Sequence, residues 1–141
     1  MERHGLLSPE TPEEAREAYH ALAATATTVV RESARAMDFD REEMDERVTD
    51  SVYATAHEAL FASLLSVTDG SREEFESWRE GVDGEVTVMG GENVDRVVWH
   101  AFSGEAIAAT YQNEPEAARA TLRRMAFGRL YRDVLRADGE P

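Results

Sequence analysis

The sequence predicts an α+β fold with a single domain, residues 1–141, in which helices at both ends pack on a small, mainly antiparallel sheet. Three observations support this prediction. Apolar residues recur every three or four positions through residues 11–66 and again through 113–137, as in helices with one buried face. Residues 67–112 instead contain short β-branched and aromatic runs between glycines, together with one short helix. A chain of 141 residues can bury a sufficient core without disulfides or a structural metal.

Four helix starts are predicted from N-cap residues that glutamate follows three positions later. The four pairs are Thr11/Glu14, Asp40/Glu43, Ser71/Glu74 and Asn113/Glu116. The first two begin long helices that end near Met37 and Leu64, and their short link predicts an antiparallel hairpin. The third begins a short helix that stops at Gly81, and the fourth begins a long C-terminal helix that reaches about Arg136.

Each helix of the predicted hairpin carries an apolar stripe. The stripes are Ala15/Tyr19/Leu22/Ala26/Val29 in the first helix and Val48/Val52/Thr55/Ala59/Ala62 in the second. Because these residues repeat at spacings of four and three, we expect each stripe to face another helix.

The predicted sheet follows the hairpin. A first strand after Leu64 leaves through a turn at Asp69-Gly70. The remaining strands are residues 85–89, 94–102 and 106–111. The last two form a hairpin across Ser103-Gly104-Glu105. Since apolar residues lie on both faces of the strand 94–102, with Trp99 on one and Val98 on the other, this strand should be central and covered by helices.

The charge composition is unusual. The sequence contains 29 acidic and 15 basic residues, all of the latter arginine, and its formal net charge is −14. Lysine is absent, isoleucine occurs once, and alanine occurs 21 times. Repulsion at this net charge opposes compaction in dilute buffer, whereas at 1 M salt the Debye length falls to about 3 Å and the repulsion is screened. The composition therefore predicts a protein adapted to concentrated salt.

Several classes of function are disfavoured by the sequence. The absence of cysteine removes thiolate catalysis, thiol redox chemistry and cysteine-ligated metals, and fits a cytoplasmic location. No apolar run approaches 18 residues, so we expect no membrane association. The four histidines show no metal-ligand spacing, and the chain contains no nucleophile motif and no phosphate-binding loop. We therefore expect no metal and no cofactor.

Three runs of the sequence resemble a known family. They are residues 31–40 (RESARAMDFD), 93–100 (NVDRVVWH) and 122–133 (LRRMAFGRLYRD). They are similar to runs in a set of small acidic proteins of halophilic archaea that have no assigned function, and the similarity extends from about Thr11 to Leu135. The resemblance implies a halophilic archaeal source and supplies no catalytic residue.

One cluster on the predicted central strand is a candidate binding site: Asp95, Arg96, Trp99 and His100. In a functional interpretation these residues line a pocket in which His100 titrates near neutrality and Arg96 holds an anion. In the structural interpretation, which we favour, the two charged residues bond neighbouring chain ends and Trp99 fills the core. An acid–base pair would require His100 to meet Glu105 or Tyr111, and the sequence leaves this open.

The C-terminal helix is rich in arginine. At 100° per residue, Arg129, Arg132 and Arg136 form one stripe opposite Phe127 and Leu130. Phosphate binding is one interpretation, but such binding weakens steeply with salt, and no aromatic residues that could stack on bases accompany the stripe. We instead expect these arginines to pair with acidic helices of the same or a neighbouring chain.

The leading hypothesis is a non-catalytic protein-interaction or self-association module of the cytoplasm. The first alternative is a small-molecule binder or small enzyme with its site around Asp95, Arg96, Trp99 and His100. The second alternative is a weak nucleic-acid binder that uses Arg129, Arg132 and Arg136.

Overall fold

The computed structural model describes residues 1–137 and has an α+β architecture, as the sequence predicts. Residues 138–141, which the predicted domain includes, lie outside the described residues. The strands are β1 (Glu2–His4), β2 (Val67–Ser71), β3 (Val86–Met89), β4 (Arg96–Phe102) and β5 (Glu105–Tyr111). The helices are α1 (Pro12–Ala21), α2 (Ala23–Ala36), α3 (Arg41–Arg47), α4 (Asp50–Leu64), α5 (Arg72–Arg79), α6 (Pro115–Ala126) and α7 (Arg132–Ala137). None of the helices in this part of the chain has the length and apolarity needed to cross a lipid bilayer.

The sheet has five strands in the order β1-β2-β4-β5-β3 and is mixed. Three of its four pairings are antiparallel, in agreement with the expected mainly antiparallel sheet, and the fourth, between β3 and β5, is parallel. The predicted β4–β5 hairpin is confirmed. Ser103 and Gly104 join its strands with φ angles of 52° and 85°, the left-handed values that a two-residue hairpin turn needs.

The predicted turn at Asp69-Gly70 is wrong, because both residues lie inside β2, where Gly70 pairs with Val97. A Cβ atom on Gly70 would approach the indole of Trp99 to 3.0 Å. The glycine therefore serves a close approach across the sheet and does not reverse the chain. Ser71 follows at once and caps α5, so strand and helix adjoin without a loop.

The central position of β4 is confirmed, and its two faces contact different cores. Val98 and Phe102 pack with residues of α4 and of the C-terminal helix, among them Phe61 and Leu122. The opposite face packs against the short helix α5. That second core contains Phe75, Val97, Trp99 and Ala108, with Trp78 at its edge.

The predicted N-terminal hairpin is confirmed in part. The first helix is divided at Leu22 into α1 and α2, and the second begins as the short α3 before a new N-cap, Thr49, starts α4. α2 packs against α4. The second apolar stripe does not simply face another helix: Val52 is 40% exposed, and Thr55 and Ala59 are exposed as well. This side of α4 therefore lines a groove, described below.

Three of the four predicted N-caps are confirmed, at Thr11, Asp40 and Ser71. The fourth is wrong because Pro115 occupies the first helical turn and Glu114, with a φ angle of 58°, is the N-cap. The predicted C-terminal helix is confirmed in part, since a π-helical turn at Phe127–Tyr131 separates α6 from α7.

The π-helical turn changes which residues of the C-terminal helix are buried. In a straight α-helix Tyr131 would lie about 180° from Leu122 around the helix axis. The wider π turn rotates less per residue, and both side chains are fully buried in one core. The π-helical turn therefore contributes Phe127 and Tyr131 to the core. Leu130, which the helical wheel places on the buried face, is partly exposed.

Candidate functional site

The structure does not bring the four residues of the predicted cluster together. Asp95 is exposed ahead of β4. Arg96 and His100 lie on the face of β4 that is directed to the C-terminal helix, and Trp99 lies on the opposite face. Arg96 and His100 are four residues apart on one strand, which separates them by roughly 13 Å. They therefore belong to two different polar networks.

Arg96 joins a network centred on Asp69, whose side chain is 2% exposed. The carboxylate accepts a hydrogen bond of 2.7 Å from Nη2 of Arg96, and the hydroxyl of Tyr111 donates to both of its oxygens at 2.7 and 2.8 Å. Nε and Nη2 of Arg119 donate to Oδ2 at 3.2 and 3.1 Å. One buried charge thus holds β2, β4, β5 and α6 together.

The protonation states in this network follow from its contacts. Burial alone would raise the pKa of Asp69, but the hydrogen bonds from Tyr111, Arg119 and Arg96 outweigh it and hold the pKa below its usual value. Burial, followed by the hydrogen bond to Asp69, raises the pKa of Tyr111. Asp69 is therefore ionised and Tyr111 is neutral at neutral pH, so the network serves structural anchoring better than proton transfer.

His100 belongs to the second network, with Ser66 and Tyr131. Its side chain is buried, and its Nδ1 lies 2.5 Å from the carbonyl oxygen of Ser66. Its Nε2 lies 2.6 Å from the hydroxyl of Tyr131. Since a carbonyl only accepts, Nδ1 carries the proton, Nε2 accepts, and Tyr131 donates. His100 contacts neither Glu105 nor Tyr111 through these atoms.

Burial is the main cause of the protonation state of His100. It lowers the pKa of His100 to about 4, and the positive charges of Arg3 and Arg123 act in the same direction against the hydrogen bond to Ser66. Burial also raises the pKa of Tyr131. Both rings are therefore neutral at neutral pH, which excludes His100 as a cation in this structure.

A cleft of about 320 Å³ opens beside His100, where β2 begins and β4 ends. We call it the Trp cleft. Its lining includes Arg3, Ser8, Glu10, Ser66, Trp78, Trp99 and His100. The two indole rings lie 5.5 Å apart between centroids. Two of the four predicted cluster residues, Trp99 and His100, therefore share this cleft.

A groove of about 420 Å³ runs between α4 and the C-terminal helix, and we call it the α4 groove. Its apolar lining is formed by Ala59, Ala62, Ala120 and Phe127, and its charged lining by Glu58, Arg123, Arg124 and Arg132. A further recess of about 330 Å³ extends along α4 from Ser51 and shares Thr55 and Ala59 with the groove. The two recesses together follow one side of α4 over most of its length.

The three arginines of the predicted stripe have different surroundings. Arg129 is exposed on the π-helical turn. The guanidinium of Arg132 lies over the ring of Phe127, 5.4 Å from its centroid. Nε of Arg136 lies 3.9 Å from Oε2 of Glu58 on α4. The π turn breaks the even spacing of 100° on which the stripe depends.

Several residues of these sites carry no local sequence signal. Asp69 resembles part of a turn, Arg119 is one of six arginines in its segment, and Arg3 precedes the first predicted helix. Tyr131 reaches His100 only because of the π turn. Within residues 1–137, no three histidine, aspartate or glutamate side chains cluster as a metal site would require.

Comparison with known proteins places this chain in a family without assigning it an activity. No curated protein matches it, and neither does any solved structure. The model of one family, described as a family of unknown function (DUF5809), matches residues 6–132. Since the match covers most of the chain, including every strand except β1, this protein belongs to the DUF5809 family.

Proposed function

We propose that this protein acts by binding an acidic amphipathic helix of a partner protein in the α4 groove. The observation that carries the proposal is an apolar groove with three arginines in its lining on a protein of net charge −14. Arginine pairs with carboxylates through bidentate hydrogen bonds, which persist in concentrated salt once the contact is partly buried, so this lining favours an acidic partner over a basic one.

The shape of the groove supports a helical occupant. With its neighbouring recess it follows α4 from Ser51 to Ser63, a rise of about 18 Å, or roughly three turns of a docked helix. Its floor contains small side chains, Ala59, Ala62 and Ala120, which allow the axis of another helix to approach closely. Helix-in-groove recognition uses such a floor together with charged flanks.

The three arginines of the lining differ in their contacts. Arg123 is already engaged, since its Nε and Nη2 donate to the carbonyl oxygens of Leu65 and His4. Arg124 and Arg132 are exposed and have no carboxylate partner among the described residues. Because Arg136 already lies beside Glu58, and alanines and Phe127 accompany the arginines of the lining, a protein partner fits this surface better than the phosphates of a nucleic acid do.

A pair of synthetic helical peptides tests the proposal. Both carry leucine at positions i, i+3, i+4 and i+7, and the remaining positions are glutamate in one peptide and lysine in the other. We expect only the glutamate peptide to bind, as followed by fluorescence anisotropy. The double variant Arg124→Glu/Arg132→Glu should weaken that binding by about tenfold or more and favour the lysine peptide.

The double variant Arg31→Glu/Arg35→Glu is the matched control, because it makes the same charge change on the exposed face of α2. It should leave the preference between the peptides unchanged. Equal binding of both peptides, or of neither, would overturn the proposal. If light scattering shows a dimer of the wild-type protein and a monomer of the Arg124→Glu/Arg132→Glu variant, the occupant of the groove is a second copy of this chain and the proposed partner protein is wrong.

We also propose that the protein works in a cytoplasm with concentrated salt. Among the described residues Asp69 is the only buried carboxylate, so the other acidic side chains face water and its cations. The absence of cysteine is compatible with a reducing compartment. We expect the thermal midpoint to rise by about 5 °C or more when KCl is raised from about 0.1 M to about 2 M, because repulsion between the exposed carboxylates becomes screened.

Circular dichroism during heating measures this effect. Potassium glutamate at equal ionic strength serves as a second salt. Since screening does not depend on the identity of the anion, the thermal midpoint should rise by a similar amount in both salts. A midpoint that is the same in dilute buffer and in concentrated KCl would contradict the proposed salt adaptation.

A further inference from the structure

We propose that the Trp cleft is a binding site for a small carboxylate with a flat apolar body, such as an aromatic acid. This site is separate from the α4 groove, and the inference does not depend on the proposed partner helix. A volume of about 320 Å³ lies at the lower end of the range of roughly 300–1,000 Å³ that small-molecule pockets occupy.

The apolar part of the site is the pair of tryptophans. Trp99 is 2% exposed and held between the sheet and α5, where its ring centroid lies 5.2 Å from that of Phe75. Trp78 is partly exposed, with its ring tilted by 34° relative to Trp99. The partly exposed indole of Trp78, with the buried indole of Trp99 beside it, offers a rigid flat surface on which a planar apolar group can pack.

The charge of the site comes from Arg3. Arg3 pairs with Thr68 in the sheet, and Thr68 pairs with Trp99, so the three side chains lie in one row on the same face. Arg3 has no ion-pair partner among the described residues and is exposed. Burial chiefly, and then the positive charge of Arg3, lower the pKa of His100, which also lines the cleft, so Arg3 lies near this part of the lining.

The polar atoms of the cleft suit an anion of limited size. The hydroxyls of Ser8 and Ser66 are hydrogen-bonded to each other, and Ser66 adjoins His100 through its carbonyl group. A hydroxyl can turn its proton toward a bound carboxylate oxygen. Glu10 is exposed and is the one carboxylate in the lining, so the anionic group should lie toward Arg3 and away from Glu10.

The chain provides its own reporter for this site. It contains two tryptophans, and both line the Trp cleft. Intrinsic tryptophan fluorescence therefore reports directly on occupancy. Calorimetry supplies a second signal that is free of optical interference from an aromatic probe.

Three matched probes test the charge requirement: benzoate, benzamide and benzylamine. They share the same ring and differ in charge, and we expect saturable binding of benzoate, binding of benzamide about tenfold weaker, and none of benzylamine. Arg3→Gln should weaken benzoate binding about tenfold and leave benzamide unaffected. Glu10→Gln should strengthen benzoate binding severalfold because it removes a like charge from the cleft.

Arg79→Gln is the matched control, since the Arg79 guanidinium lies over the ring of Phe75, 5.9 Å from its centroid, and outside the lining of the cleft. It removes the same charge from the same side of the sheet and should not change benzoate binding. Equal affinity for benzoate and benzamide, or equal loss in Arg3→Gln and Arg79→Gln, would overturn the anion assignment. A saturable signal from none of the three probes would overturn the site itself.

Discussion

We expect Asp69→Asn to lower the free energy of unfolding by about 3 kcal/mol, the lower end of the cost of removing one partner from a buried ion pair. The substitution keeps the shape of the side chain but replaces one acceptor oxygen by a donating amide group, which then faces either Arg96 at the Oδ1 position or Arg119 at the Oδ2 position. The lower end applies because the Arg96 side chain is 45% exposed and water screens part of its charge. Urea denaturation followed by circular dichroism measures the change.

An exposed ion pair provides the comparison for Asp69→Asn. Nη1 of Arg35 lies 2.9 Å from Oε1 of Glu32, and both side chains are mostly exposed. Glu32→Gln should therefore change the free energy of unfolding by less than about 0.5 kcal/mol. A loss below about 1 kcal/mol in Asp69→Asn would mean that the buried carboxylate does not hold the sheet to α6.

We expect the stability of the wild-type protein to fall by about 3 kcal/mol through His100 as the pH is lowered from about 6.5 to about 4. The pKa of His100 is about 4 in the folded protein and close to 6.5 when unfolded, so between these values only the unfolded chain takes up the proton. The contribution of neutral His100 to the free energy of unfolding is complete above about pH 6.5 and is lost as the pH falls to about 4. Protonation is unfavourable in the fold first because the ring is buried, and also because Arg3 and Arg123 are near and Nε2 already accepts from Tyr131.

The variant His100→Gln separates this effect from the titration of the many carboxylates. Glutamine offers a donor and an acceptor but does not titrate, and all other groups remain the same. The difference in unfolding free energy between wild type and variant should therefore shrink by about 3 kcal/mol between pH 6.5 and 4. A difference that does not depend on pH would show that His100 titrates normally in the fold.

The parts of this fold that could be predicted from the sequence depend on local signals. Ser103-Gly104 supplies the left-handed backbone of a hairpin turn, and Thr11, Asp40 and Ser71 each cap a helix through residues three positions away. The two-sided apolar pattern around Trp99 places β4 in the centre of the sheet in the same way. In each case the cause and the structure lie within a few residues.

The parts that could not be predicted depend on contacts between distant residues. Asp69-Gly70 has the composition of a turn, and the close approach of the Trp99 indole, 29 positions later, helps to explain a glycine within a strand. β1 is only three residues long and is held in the sheet by its pairing with β2. The Trp cleft joins Arg3, Ser66 and His100, and no spacing in the sequence relates these three residues.

The guanidinium of Arg123 has a consequence for how the chain acquires its fold during synthesis. Nη2 of Arg123 donates to the carbonyl oxygen of His4, 119 residues earlier, and Nε donates to the carbonyl oxygen of Leu65. Since a ribosome delivers the polypeptide from its amino end, these two hydrogen bonds can form only after residue 123 has been synthesised, long after β1. The helices that precede Arg123 can form earlier, but β1 and α6 become joined only after Arg123 has left the ribosome.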